Sequence, residues 1–136
     1  MYRKILVAMA LDHDISPKTI EVARALCGEG GKITGLHVYV VPQGSASSYL
    51  DENVVRESYE RAGSLLKEKL SGVEGVEGVI VKGHSYRAII EYAHTHDIDC
   101  IVLGSHKPGL SDYLIGSTAA KVVRHAPCAV HVYRVG

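Results

Sequence analysis

The chain has 136 residues, enough for one domain with its own hydrophobic core. Hydrophobic residues make up 46% of it and charged residues 22%, a composition typical of a globular protein and not of a disordered one. Lys and Arg together number 15, as do Asp and Glu, so the formal net charge is zero and we expect no nucleic-acid partner.

Strand and helix patterns alternate from the start of the chain. Ile5–Ala10 is a continuous apolar run, which predicts a strand covered on both faces. Ser16 and Pro17 are typical of a helix N-cap and of the first helical position. The glycine-rich stretch Gly28–Gly31 is expected to end that helix, and Lys32–Val41 is predicted to form the second strand.

The middle of the chain continues this alternation after Pro42–Leu50, a stretch of turn-forming residues that predicts a loop. An amphipathic helix is predicted over Asp51–Leu70, followed by a short strand at Glu77–Lys82. Ser85 is expected to cap the next helix, Tyr86–His96. The inner face of the first of these two helices is predicted to consist of Val54, Val55, Tyr59, Ala62, Leu65, Leu66 and Leu70.

The last third of the chain supplies a buried strand at Asp99–Gly104, a helix at Gly116–His125 and a final strand at Cys128–Arg134. A regular succession of strands and helices implies right-handed crossovers between parallel strands. We therefore predict a single α/β domain over residues 1–136. Its core is expected to be a doubly wound, five-stranded, mostly parallel, Rossmann-like sheet with helices on both faces.

The segment from Ile101 to Thr118 carries the clearest functional pattern. A buried strand runs into Gly104, a loop with glycine, serine and lysine follows, and Gly116, Ser117 and Thr118 begin a helix. Glycine lets a backbone approach an anion closely, and a helix N-terminus adds converging amides and partial positive charge. The segment matches neither a Walker A nor a Rossmann glycine motif. It predicts a phosphate-binding loop, and the alternative is a plain strand-to-helix connection with a glycine cap.

Metal and hydrolase sites are disfavoured by residue spacing. His94 and His96 lie two residues apart on a predicted helix and so point to different sides, and we assign no metal ligand. Ser105 and His106 are adjacent in a loop and no G-x-S-x-G sequence is present, so a catalytic triad is not expected. His37 lies on a predicted strand, where we interpret it as structural.

The cysteines and the hydropathy pattern bear on location. Cys27, Cys100 and Cys128 form no CxxC pair, and we interpret them as reduced thiols. No apolar stretch approaches the ~20 residues that span a bilayer, and no secretory apolar region opens the chain. We therefore expect a soluble, cytoplasmic protein with no membrane partner.

Several stretches together resemble the universal stress protein family over essentially the whole chain. They are Tyr2–Val7, Leu36–Val38, Gly83–Ser85 and the long stretch from Gly104 to Arg134. The loop resembles the subgroup that reads Gly-Ser-His-x-Pro and continues Tyr-Leu-Ile-Gly-Ser, here as Tyr113–Ser117. The resemblance implies a fold like that of the adenine nucleotide alpha hydrolases and a site for ATP, AMP or ADP, with Mg²⁺ accompanying the nucleotide.

The positions carried over from the family divide into two groups. Ala8, Ala10, Val38 and Leu103 correspond to positions around the adenosine, and Gly104, Ser105 and Lys107 to positions near the phosphates. Gly116, Ser117 and Thr118 correspond to those that close the phosphate site.

Two departures from the family pattern concern the same site. ATP-binding relatives usually carry an aspartate just after the first strand, and here Ala10 occupies that position. Asp12 and Asp14 follow in the next loop. They are either substitutes for the missing aspartate or residues that help to start the next helix, and we favour the second interpretation. Lys107 and Pro108 stand where the pattern has its second glycine, in a loop one residue shorter than the pattern.

The preferred hypothesis is therefore a homodimeric stress-response protein that binds ATP or another adenine nucleotide and couples its occupancy to an unidentified protein partner. The resemblance implies that the dimer forms through the C-terminal strand, which needs covering if it lies at a sheet edge. The rival hypothesis is a nucleotide-free interaction module of the same fold. A third is an enzyme that turns nucleotide over, for which we expect at most slow ATP hydrolysis or autophosphorylation.

Overall fold

Parallel strand pairing organises the chain. The computed structural model describes residues 1–10, 17–40, 52–105 and 117–134. Within them lie β1 (Tyr2–Ala8), α1 (Pro17–Leu26), β2 (Cys27–Tyr39), α2 (Glu52–Leu70), β3 (Val76–Lys82), α3 (Ser85–Thr95), β4 (Cys100–Ser105), α4 (Ser117–His125) and β5 (Ala129–Arg134). None of these helices is long and apolar enough to cross a membrane.

The strands form one sheet in the order β3-β2-β1-β4-β5, and all four neighbouring pairs are parallel. The chain first moves outward from β1 through β2 to β3, and then crosses back to β4 on the other side of β1. This is a doubly wound sheet, so the predicted fold class is confirmed, and the sheet is entirely parallel rather than mostly so.

The central strand β1 explains why helices cover both faces. Ile5 and Val7 are buried against α1 and α2, while Leu6, between them, is buried against α3 and α4. Successive side chains of a strand point to opposite faces, so a run of apolar residues without alternation must be covered twice. Two hydrophobic cores result, one on each side of the sheet.

The glycine-rich stretch after α1 differs from its predicted role. The helix already ends at Leu26 and β2 begins at Cys27, so Gly28–Gly31 belongs to a strand and does not terminate the helix. Tyr2 pairs with Cys27 and Lys4 with Lys32, so the pairing register shifts between them and the extra residues form an irregularity in β2. A glycine run permits such a bulge because it tolerates close backbone approach and left-handed conformations.

Two details of the helices also differ from expectation. Ser85 is the first residue of α3 and does not cap it; the N-cap is His84, whose side chain makes no capping hydrogen bond. Val54 and Leu65, predicted on the inner face of α2, are 51% and 36% exposed, whereas Leu66 and Leu70 are buried. The helix covers edge strand β3, where the sheet offers less surface to bury against than it does at its centre.

The bulge in β2 predicts a strong difference between two glycines. A Cβ on Gly31 would lie 2.9 Å from the carbonyl oxygen of Gly28 and 3.0 Å from that of Arg3, whereas one on Gly72 would meet nothing within 4 Å. Because backbone atoms cannot yield cheaply, Gly31→Ala should lower the free energy of unfolding by about 1–3 kcal/mol. Gly72→Ala should change it by less than about 0.5 kcal/mol. Urea denaturation compares the two, and equal effects would contradict the bulge.

Candidate functional site

The candidate site is the crevice expected at the ends of β1 and β4, two neighbouring strands whose connections lead to opposite faces of the sheet. β1 and β4 are parallel neighbours, with Val7 opposite Val102, so both strands end at the same edge of the sheet. The connection from β1 leads to α1 on one face, and the connection from β4 leads to α4 on the other. This is the topological switch point at which doubly wound sheets bind ligands. Much of each connection, residues 11–16 and 106–116, lies outside the described residues.

The chain leaving β1 is held by two contacts from β2. The amide of Met9 donates to the carbonyl oxygen of Leu36 at 2.8 Å. The ring of His37 lies with Nδ1 2.9 Å from the carbonyl oxygen of Met9, and because a carbonyl can only accept, Nδ1 carries the proton. This contact is consistent with the structural role predicted for His37. The ring binds the backbone of Met9, the residue directly before Ala10.

Three of the positions assigned to the adenosine side come together. Leu103 is buried within the core on the α3 and α4 face, and Ala8 and Val38 are partly buried and packed against the same core. They come from the neighbouring strands β4, β1 and β2, near the carboxyl ends of each. Ala10 is exposed beyond β1 and contributes only a methyl group. This part of the crevice is apolar.

The positions assigned to the phosphate side stand at the ends of two elements. Gly104 is exposed on β4, and Ser105 is the last residue of that strand. Ser117 and Thr118 are the exposed first residues of α4. The remaining two candidates, at positions 107 and 116, lie outside the described residues, so the full set stays a prediction.

Thr19 belongs to this region but was missed at the level of sequence. It is a buried polar side chain in the first turn of α1, and its Oγ1 would lie 3.5 Å from a Cβ built on Gly104. The glycine therefore lets the end of β4 lie close to the start of α1. A hydroxyl in the first turn of a helix was the available signal, but sequence spacing does not show that it faces β4.

The electrostatics of this edge favour an anion. α1, α3 and α4 each follow a parallel strand, so their N-termini point toward the carboxyl edge of the sheet. Unpaired amides and the helix dipole give each N-terminus a partial positive charge. Among the described residues no group of three or more His, Cys, Asp or Glu is placed to hold a metal ion.

The buried thiol of Cys100 is not suited to act as a nucleophile. All three are free thiols. Burial raises the pKa of Cys100 to about 11, with smaller contributions from Cys128 and Asp99. Because the thiolate is the reactive form, Cys100 is unreactive at neutral pH.

Comparison with known proteins identifies the family. The sequence profile described as the universal stress protein family matches residues 1–134. The chain belongs to this family. A universal stress protein of Methanothermobacter thermautotrophicus is 30% identical over 145 aligned residues, which cover 98% of this chain and 97% of the relative. The resemblance seen in the sequence is confirmed at the level of the family.

Solved structures of the family share the fold. A universal stress protein in complex with cAMP superimposes with a TM-score of 0.69 at 23% identity, covering 99% of each chain. A family member from Arabidopsis thaliana with AMP bound superimposes with a TM-score of 0.60 at 22% identity, covering 98% of this chain and 92% of the other. At 22–23% identity, the similarity to these two structures shows a shared fold.

The contact between His37 and Met9 can be tested by removing its donor. His37→Phe keeps a ring of similar size but leaves the Met9 carbonyl oxygen without this partner. We expect the free energy of unfolding to fall by about 0.5–1.5 kcal/mol, the usual net value of a hydrogen bond. His131→Phe is the matched control, because His131 is an exposed strand histidine. If both substitutions lower the free energy of unfolding equally in urea denaturation, the contact does not stabilise the end of β1.

Proposed function

We propose that this universal stress protein binds an adenine nucleotide in the crevice between the carboxyl ends of β1 and β4. One observation carries the proposal: an exposed Gly104 on β4 and the exposed start of α4 at Ser117 flank the switch point of the sheet. Family members of the same fold are described with cAMP and with AMP bound, which supports adenine as the base.

The residues present fit such a ligand in two parts. Ala8, Val38 and Leu103 supply an apolar surface of the kind that accepts a purine. Gly104 has no side chain to obstruct an approaching phosphate, and among the described residues a Cβ there would meet Thr19 at 3.5 Å. Ser105, Lys107, Gly116, Ser117 and Thr118 would complete the phosphate side. AMP, ADP and ATP, the last with Mg²⁺, all contain the adenosine monophosphate portion that these residues would hold.

Ala10 weakens the proposed site on its adenosine side. A carboxylate at this position would accept hydrogen bonds from a ribose, whereas a methyl group accepts none. We therefore expect this chain to bind nucleotide less tightly than a variant that carries the aspartate.

The same residue motivates a second candidate function. We propose as the alternative a nucleotide-free interaction module of the same fold, and the exposed Ala10 methyl is the observation that favours it. Turnover of a bound nucleotide is a weaker candidate, and we expect any ATP hydrolysis or autophosphorylation to be slow.

The proposal extends to assembly and location. β5 is an edge strand paired only with β4 among the described strands, so its outer edge is available to a second copy of the chain. We propose a homodimer through this strand, with occupancy of the crevice coupled to a protein partner. Three free thiols suit a reducing compartment, which supports a cytoplasmic location.

Two substitutions with opposite expected effects test the nucleotide site by titration calorimetry with AMP and with ATP plus Mg²⁺. Gly104→Leu places a side chain between the end of β4 and Thr19 at the start of α1, where the phosphate side of the crevice is proposed, and should reduce affinity more than about twentyfold. Ala10→Asp restores a charged acceptor, and one hydrogen bond to it of about 1.4 kcal/mol would raise affinity about tenfold.

Gly72→Leu adds the same side chain at a position directly after α2, where a Cβ meets nothing within 4 Å, and should leave affinity unchanged. The proposal would be contradicted if the wild-type protein bound AMP and ATP only with millimolar or weaker dissociation constants. That result would favour the interaction module. Unchanged affinity in Gly104→Leu would place the ligand elsewhere.

A further inference from the structure

A groove lies between α3 and α4, outside the crevice of the proposed nucleotide site, and it forms a cavity. It has a volume of about 480 Å³. Its lining residues are Gly83, His84, Tyr86, Arg87, Ala88, Ile90, Glu91 and His125. None of the residues assigned to the nucleotide is among them. A cavity of this size falls in the range of small-molecule sites.

Positively charged groups gather around one aromatic ring of this cavity. The Arg87 side chain donates from Nε to the hydroxyl oxygen of Tyr86 at 3.3 Å. The Lys121 ammonium lies 5.1 Å from the centre of the same ring, and the His125 ring stacks on it at 6.0 Å. Arg87 also lowers the pKa of the Tyr86 hydroxyl, first through this hydrogen bond and then through its charge. Two permanent cations are thus held beside one ring.

These cations have no carboxylate partner in the described part of the chain. The ion pairs found there join Lys18 to Glu21 and Lys32 to Glu77, away from this cavity. Glu91 is the single acidic residue among those that line it, and it forms no ion pair with Arg87. Within the described residues, no ion pair competes with a ligand for Arg87 and Lys121.

We propose that the groove between α3 and α4 is a second binding site, for a small organic phosphate. A phosphomonoester carries nearly two negative charges at neutral pH, which matches the two permanent cations better than a single carboxylate does. Arg87 and Lys121 bind the phosphate, and the apolar side chains of Ala88 and Ile90 receive the organic portion. The proposal does not depend on nucleotide binding at the other site.

The groove lies close enough to the nucleotide crevice for the two sites to share a helix. Lys121 follows Ser117 by four residues, about one turn of α4. The helix that begins at the proposed phosphate side of the crevice therefore carries one of the two cations of the groove. A test must separate the two sites, so its probe lacks adenosine.

The probe is phenyl phosphate, titrated into ¹⁵N-labelled protein while amide chemical shifts are followed. We expect saturable shifts of amides in α3 and in the second half of α4. Arg87→Gln combined with Lys121→Gln should weaken this binding at least tenfold. Arg61→Gln combined with Lys67→Gln removes the same charge from exposed positions of α2, on the opposite face of the sheet, and should change it less than twofold. Phenol, which lacks the phosphate, should bind far more weakly.

Several outcomes would overturn the proposal. They are the absence of saturable shifts in α3 and α4, equal weakening by the two double variants, and equal binding of phenol. Binding of an acidic peptide without binding of phenyl phosphate would also overturn it, since the groove would then be a protein-docking surface. Gly104→Leu separates the sites: it should leave the phenyl phosphate shifts in the groove unchanged even if the nucleotide proposal fails.

Discussion

The burial of β1 on both faces is the constraint on which the rest of the structure depends. Ile5, Leu6 and Val7 are almost completely removed from water, and consecutive strand residues can be buried only if helices cover both sides. Covering both sides requires the chain to wind in two directions from β1. The carboxyl ends of β1 and β4 then lie side by side with their connections diverging, and the crevice follows from this arrangement.

Much of this could be predicted from the sequence because apolar runs and turn residues are local signals. The sheet, its parallel strands and the helices on both faces followed from them, and the family followed from motifs spread over the chain. The role of Gly28–Gly31 could not be predicted, because a glycine run suits a helix end and a strand bulge equally. Partial exposure of Val54 and Leu65 depends on α2 lying over an edge strand, which periodicity cannot show.

The positions of some candidate residues in the fold also follow from the sequence, although their role in binding stays a prediction. Motif positions identified Gly104 and Ser117, and the structure places them on β4 and α4 at the same edge of the sheet. The proximity of Thr19 to Gly104 and the bond from His37 to Met9 depend on how distant segments pack. The cluster around Tyr86 joins α3 to residues about 35 positions later in the chain, so no local pattern could have indicated it.

The most direct test of the account is hydrogen–deuterium exchange of the protein with and without saturating AMP. If the crevice between β1 and β4 holds the nucleotide, exchange should slow in peptides that contain the ends of β1, β2 and β4 and the start of α4. Peptides from the amino ends of the strands should be unaffected. Protection confined to other parts of the chain, with binding of AMP verified in the same sample, would contradict the placement of the site.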